Sequence, residues 1–144
     1  LLARELGGSV TRSPEPEIGW HEVDSDDVGL VPGGPWIQWH FDRITPPPGA
    51  RELARNARAT QAFASGRALG LQFHPEVDAA LVEQWIEEDL EGGSGDIGRL
   101  GLRPEDLRAR TAVEIDDAVR RIRLLVGGFL RRTEDVEDDA HSLG

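Results

Sequence analysis

A histidine and a glutamate two positions apart are the residues of this sequence best suited to acid–base chemistry. His74 and Glu76 stand on either side of Pro75, at the end of an apolar run that begins at Gly70. Residues two apart in extended backbone project to the same side, so the imidazole and the carboxylate can lie next to each other. A neighbouring carboxylate fixes the tautomer of an imidazole and stabilises its protonated form, as a general base for a nucleophile requires. The alternative is a turn histidine that is hydrogen-bonded to a nearby carboxylate and has no catalytic role.

Alternating apolar residues predict the strands that would hold this pair. The segment 68–73 predicts a strand with the histidine at its C-terminal end, and the segment 59–64 predicts its partner in a hairpin. A third strand is predicted over 36–41, where aromatic and β-branched residues alternate with polar ones. Nearer the start of the chain, Pro14 and Pro16 are expected to break a short strand, because proline has no backbone N–H to donate to a sheet.

Apolar positions with a 3.6-residue period predict two helices in the second half of the chain. The first spans 78–90, and the aspartate at its first position can cap it. The second spans 104–132, and Gly127 and Gly128 inside it each cost roughly 1 kcal/mol relative to alanine. We therefore expect these two glycines to mark a kink or a close packing contact.

Composition excludes several classes of function. The 144 residues include 27 Asp plus Glu against 16 Arg and no Lys, and the formal net charge is −11. Such a charge disfavours nucleic acids and anionic membrane surfaces as partners, because their phosphates would be repelled. No apolar run approaches the ~20 residues that a membrane-spanning helix needs. There is no Cys, which excludes a disulfide, a thiolate metal site and a cysteine nucleophile within these residues.

The segment Gly70-Leu71-Gln72-Phe73-His74-Pro75-Glu76 resembles the signature of class I glutamine amidotransferases. In that family a Cys-His-Glu triad lies on an α/β sheet. Residues 1–10 resemble the helix that follows the family's nucleophile turn, and the match continues in order to Trp85. The blocks that resemble GMP-synthase-like members of the family are residues 17–20, 38–42, 48–50 and 61–63. Several ordered blocks are more specific than the His-x-Glu pair alone.

The resemblance implies a flavodoxin-like α/β fold that is present in part and is followed by a C-terminal helical extension. Residues 1–91 would form the C-terminal part of an amidotransferase domain. Residues 92–133 would form a linker and the second helix, and residues 134–144 an acidic, disordered tail. Because the opening residues resemble the end of a helix, we expect the chain to begin inside a larger element.

The resemblance also implies a role for each site residue. His74 would be the base that activates the cysteine, and Glu76 would orient the imidazole. Gln38, Trp39 and His40 would lie near the glutamine pocket and bind the substrate. Glutamine is the implied substrate, and no metal or organic cofactor is needed. The implied partner is a synthetase domain or subunit that accepts ammonia, and the implied location is the cytoplasm.

The missing cysteine separates this sequence from an active member of the family. The family's nucleophile lies shortly before the position that matches Leu1, and a base without its nucleophile performs no covalent catalysis. The sequence therefore predicts the His–Glu part of a longer enzyme, inactive on its own. Two alternatives stay open. One is a catalytically inactive interaction module that binds a partner protein through its acidic surface and apolar helix, and the other is a γ-glutamyl hydrolase of the same fold.

Overall fold

A strand of 17 residues, β1 (Ser9–Ser25), joins the two parts of the sheet. It pairs with β2 (Gly34–Thr45) along most of its length and with β3 (Arg51–Arg55) through its last two residues. β3 pairs with β4 (Thr60–Ser65), and β4 pairs with β5 (Ala68–Leu71). The strand order is therefore β2-β1-β3-β4-β5, and the sheet curls because one strand serves both parts.

The computed structural model describes residues 1–93 and 95–142, and the side chains of its last helix as far as residue 133. Within these residues the molecule is mixed α/β, as the sequence predicts. All pairings among the described strands are antiparallel. The parallel strands that a flavodoxin-like sheet implies are therefore not found in this part of the chain.

The two prolines do not end β1, contrary to our expectation. The register of β1 against β2 shifts between Arg12 and Glu17, and the ladder resumes where Glu17 lies opposite His40. Pro14 and Pro16 fall inside this irregularity, where a residue without an N–H interrupts no ladder bond. The strand thus continues through both prolines, and Glu17 re-enters the sheet as a paired residue.

The hairpin of β4 and β5 confirms the strand pair that the sequence predicts before the histidine. Gly66, in the turn, has a φ of +54°, which is costly for other residues. Gly70 has a different reason: a Cβ there would lie 2.2 Å from a ring carbon of Phe63. β5 ends at Leu71, two residues before the predicted end.

Four helices accompany the sheet: α1 (Leu2–Glu5), α2 (Ala79–Glu91), α3 (Asp96–Arg99) and α4 (Pro104–Ser142). α2 confirms the predicted first helix within one residue. Its cap is the predicted Asp78, whose Oδ1 accepts a 2.8 Å hydrogen bond from the N–H of Leu81 at the start of the helix.

α4 is longer than the predicted 104–132. It begins at the predicted Pro104 but continues to Ser142, so residues 134–142 are helical and not a disordered tail. Residues 143 and 144 lie outside the described residues. The added stretch contains neither Gly nor Pro, and extending an existing helix requires no new nucleation. The linker expected after residue 91 contains α3, and its Ser94 also lies outside the described residues.

Two hydrophobic clusters lie on opposite faces of the sheet. Trp36 and Ile37, adjacent in β2, belong to different clusters, as the alternation in 36–41 predicts. In the first cluster Trp36 stacks on Phe73 with ring centroids 4.6 Å apart, and the middle of α4 packs there through Leu125. The second is covered by α2, α3 and the start of α4. Its buried members are Ile18, Ile37, Val77, Val82, Ile86, Ile97 and Leu107.

The close approach expected at the paired glycines of α4 occurs at Gly128. A Cβ there would lie 2.4 Å from the backbone oxygen of Gly29, so only glycine lets the helix approach this loop. None of the helices in the described residues combines the length and the apolar character that crossing a membrane requires.

Candidate active site

His74 lies three residues beyond the end of β5, in a segment hydrogen-bonded to two other strands. The N–H of Gln72 donates to the backbone oxygen of Gln61 in β4 at 2.8 Å. The N–H of His74 donates to the backbone oxygen of Ile37 in β2 at 3.0 Å. Phe73, between them, is buried in the first cluster. The backbone of the histidine is thus fixed on both sides, although the regular strand has ended.

The predicted side-by-side arrangement of His74 and Glu76 is present. Nδ1 of His74 lies 2.8 Å from Oε1 of Glu76. An ionised carboxylate only accepts hydrogen bonds, so Nδ1 carries the hydrogen and Nε2 is left as the nitrogen able to take up a proton. The imidazole is 30% exposed and the glutamate side chain 58% exposed, so the pair lies at the surface and not in the core.

An open cleft of about 290 Å³ adjoins this histidine. The ring of Trp85, from α2, meets the His74 ring edge to face at 5.1 Å, and Trp39, from β2, meets Trp85 at 5.5 Å. Glu88, Asp89 and Gly93 complete the lining. The carboxylate of Asp89 is used structurally, because it accepts the N–H groups of Asp96 and Ile97 and so anchors α3.

Only one of the three predicted substrate-binding residues lies in this cleft. Trp39 lines it, whereas Gln38 and His40 point to the other face of β2, because side chains alternate along a strand. The Gln38 side chain is fully buried and donates from Nε2 to Oε1 of Gln61 at 3.0 Å. Nε2 of His40 lies 2.9 Å from Oε1 of Gln38. The structure therefore does not bring Gln38 or His40 to the cleft beside His74.

Sequence analysis missed the residue at the centre of this buried polar network, Glu17. It is 1% exposed, and its two carboxylate oxygens accept from Asn56 Nδ2 at 2.6 Å and from Gln61 Nε2 at 3.2 Å. Nε2 of His40 is 3.3 Å from Oε2. Burial alone would raise the pKa of Glu17, but hydrogen bonds and positive charge from His40, with the Asn56 bond and His21, lower it below its usual value.

A signal for this network exists in the sequence. Gln38 and His40 occupy the polar positions of the alternating strand 36–41, and polar side chains on an inward face require partners. Their partners come from residues far along the chain, so the pattern identifies the need but not Glu17 itself. Among the residues that the structure describes, no three His, Asp or Glu side chains are grouped so that they could hold a metal ion.

No family model matches the chain. It is 43% identical over 86 residues to a GMP synthase (glutamine-hydrolyzing) of Aeropyrum pernix, a match that covers 54% of this chain and 17% of that protein. It is 41% identical over 86 residues to one named subunit of a GMP synthase (glutamine-hydrolyzing) of Sulfurisphaera tokodaii, covering 54% of this chain and 46% of that protein. The chain thus spans less than half the length of these two curated relatives.

A crystal structure of a glutamine amidotransferase from Thermotoga maritima superposes with a TM-score of 0.77 at 29% sequence identity. The match covers 89% of this chain and 57% of that one. Such coverage extends beyond residues 1–91, so it includes part of the C-terminal helical region that we expected to be an extension. The fold and these matches make this a class I glutamine amidotransferase-like chain, of which only a part is present.

Proposed function

We propose that this chain supplies the histidine and the glutamate of a Cys-His-Glu triad in a glutamine amidotransferase. The observation that carries the proposal is the 2.8 Å contact between His74 Nδ1 and Glu76 Oε1 at the edge of an open cleft. The names of the relatives support glutamine as the substrate. The nucleophile must be a cysteine outside these 144 residues, because they contain none.

In the proposed reaction His74 Nε2 takes the proton of the cysteine thiol, and the thiolate attacks the side-chain amide carbon of glutamine. The tetrahedral intermediate collapses when the imidazolium returns the proton to the leaving nitrogen, which departs as ammonia. A γ-glutamyl thioester remains. His74 then takes a proton from water, the resulting hydroxide attacks the thioester, and glutamate leaves as the thiolate is reprotonated. Glu76 stabilises the imidazolium in both halves of the cycle.

We further propose that the ammonia is passed to a synthetase domain or to a separate synthetase subunit. One relative is named as a single subunit of a GMP synthase, which supports an acceptor on a second chain. A thiolate nucleophile is suited to the reducing cytoplasm, where we propose that the protein works. The 144 residues by themselves should be inactive, since the base has no thiol to activate.

Ammonia and glutamate release from glutamine tests this proposal. The intact protein, with the residues that precede this chain and their cysteine, should form both products in equal amounts. The 144-residue chain should form neither, and it serves as the control. Hydrolysis of γ-glutamyl conjugates without ammonia release from glutamine would replace the proposal with a γ-glutamyl hydrolase. No turnover of either substrate by the intact protein would leave a non-enzymatic module.

A further inference from the structure

The segment that carries His74 is hydrogen-bonded to two strands that do not neighbour each other in the sheet. Gln72 donates to Gln61 of β4, and His74 donates to Ile37 of β2, with β1 and β3 between those strands in the sheet order. No ladder of backbone bonds joins β2 directly to β4. The position of the imidazole therefore depends on how far apart these two strands are held.

Buried side chains join the two strands at the same level. Gln38 follows Ile37 in β2, and its Nε2 donates to Oε1 of Gln61, the residue whose backbone oxygen binds the N–H of Gln72. Gln61 in turn donates from Nε2 to Oε2 of Glu17 at 3.2 Å. Gln38, Gln61 and Glu17 are each exposed by 1% or less, so water does not share these bonds.

The carboxylate of Glu17 fixes the direction of every bond in this chain of contacts. Since an ionised carboxylate only accepts, Gln61 must present its amide nitrogen to Glu17 and its oxygen to Gln38. Gln38 must then present its oxygen to His40. A neutral side chain in place of Glu17 would impose no such direction, and both amides could rotate.

His40 completes the network as the partner of Glu17. Its Nε2 is close to two acceptors, Oε1 of Gln38 at 2.9 Å and Oε2 of Glu17 at 3.3 Å. Its Nδ1 lies 2.9 Å from the backbone oxygen of Asp42. The ring satisfies all of these contacts only when both nitrogens carry hydrogen, which makes it a cation beside a buried anion.

Glu17 also receives groups from β1 and from the β3–β4 connection. Nδ1 of His21 lies 3.7 Å from Oε1, and Nη1 of Arg58 lies 3.8 Å from the same atom. Asn56 donates to Oε1 at 2.6 Å. The single carboxylate therefore contacts side chains from β1, β2, β4 and the loop between β3 and β4.

We propose that Glu17, paired with His40, is a positioning residue that holds β2 and β4 at the spacing that places His74 beside the cleft. It touches neither the cleft nor the imidazole of His74. Its effect passes through Gln61 and Gln38 to the two backbone oxygens that accept from Gln72 and His74. The catalytic consequence rests on the proposed function, whereas the placement of His74 does not.

Hydrogen exchange of single backbone amides tests the placement in the full chain without any assay of activity. In Glu17→Gln the amides of Gln72 and His74 should exchange at least about tenfold faster, because their acceptors are no longer held. Glu52→Gln is the matched control, since Glu52 is a partly buried sheet carboxylate bonded to Thr60 and Arg55 outside this network. It should leave those two amides unchanged.

The intact protein tests the catalytic consequence. Glu17→Gln should lower kcat for glutamine hydrolysis by about ten- to a hundredfold with a KM within about threefold of the parent, because a misplaced base slows the chemistry more than it weakens binding. Glu52→Gln should change neither constant. Gln38→Met, which removes the bond to Gln61 but keeps Glu17, should shift both readouts in the same direction as Glu17→Gln.

Each outcome decides the proposal. Unchanged exchange at Gln72 and His74 in either folded variant would overturn it, as would an equal acceleration at all sheet amides, which would indicate a general loss of stability. If Glu17→Gln does not fold, Gln38→Met supplies the result, and failure of both to fold would also overturn it. Localised exchange in a parent that releases no ammonia would retain the positioning role and reject the proposed function.

Discussion

Nδ1 of His74 and Oε1 of Glu76 are 2.8 Å apart, and the two residues lie in a turn whose backbone is held by β2 and β4. The pair is local in sequence, but the placement of its histidine is not. Glu76 is more than half exposed, so water screens its charge and can take over part of its hydrogen bonding. The contribution of the glutamate should consequently be smaller than that of the base itself.

His74→Ala in the intact protein should lower kcat/KM for glutamine by about a thousandfold or more, because no other group is placed to accept the thiol proton. Glu76→Gln should cost roughly ten- to a hundredfold, since the imidazole remains and loses only its orienting charge. Steady-state ammonia release by the parent and the two variants measures this order.

Glu83→Gln is the control for that series, because Glu83 lies on α2 and pairs with Arg108 outside the cleft. It should retain the activity of the parent. Full activity in His74→Ala would reject the assignment of the base, and a larger loss in Glu76→Gln than in His74→Ala would reverse the proposed roles.

Local sequence patterns were sufficient to predict much of the site's scaffold. A spacing of two placed His74 beside Glu76, alternation separated the two faces of β2, and the turn signal at Gly66 marked the hairpin. Asp78 marked the start of α2 correctly. Each of these features depends on neighbours within a few residues, which is why a single sequence reveals them.

The rest of the scaffold depends on contacts between distant residues. The network of Glu17 joins positions more than 20 residues apart, and no periodicity indicates which partner each polar side chain meets. Gln38 and His40 were therefore assigned to the substrate, although they are bound to each other and to Gln61. Likewise, β1 continues past Pro14 because its pairing with β2 resumes beyond the register shift, which propensity alone does not reveal.

Gly127 and Gly128 should respond in opposite directions to alanine. In Gly128→Ala the new Cβ would lie 2.4 Å from the backbone oxygen of Gly29, so the helix or the loop must move, and we expect a loss of about 1–3 kcal/mol. In Gly127→Ala the nearest atom is the movable end of Arg131 at 3.3 Å. That variant should gain up to about 1 kcal/mol from helix propensity.

Urea denaturation of the 144-residue chain and its two variants measures these changes in the free energy of unfolding. Each variant is the control of the other, since they are adjacent in one helix and receive the same methyl group. Equal effects at both positions would mean that α4 does not make the close contact with Gly29.

The apolar face of α4 should tolerate a charge only on its outer side. Ile122 packs against the first hydrophobic cluster, so Ile122→Asp should lower the free energy of unfolding by about 2–4 kcal/mol. Val113 is 72% exposed on the same helix, and Val113→Asp should cost well under half as much. The difference in urea midpoint between the two variants tests which face is packed, and equal midpoints would show that Ile122 is solvated.

The stability that Glu17 provides should depend on pH in a defined direction. Its pKa in the folded chain is lower than the value of about 4.5 that it has when unfolded, because burial, which raises it, is outweighed by the donors around the carboxylate. A carboxylate of this kind stabilises the fold fully above its unfolded pKa, and the contribution is lost as the pH falls through the folded pKa.

The difference in the free energy of unfolding between the parent and Glu17→Gln should therefore be largest near neutral pH. At pH 7 we expect the parent to be more stable by about 1.5–3 kcal/mol, the range for hydrogen bonds to a buried charged group. The difference should narrow steadily below pH 4.5. Urea denaturation of both proteins between pH 7 and the acid limit of folding measures it, and the subtraction removes the other carboxylates that titrate in the same range. Glu52→Gln should show a smaller difference at neutral pH, since that side chain is 36% exposed. A difference that does not change with pH would show that the fold does not favour the ionised form of Glu17, and the direction of the hydrogen bonds through Gln61 and Gln38 would then lose its cause.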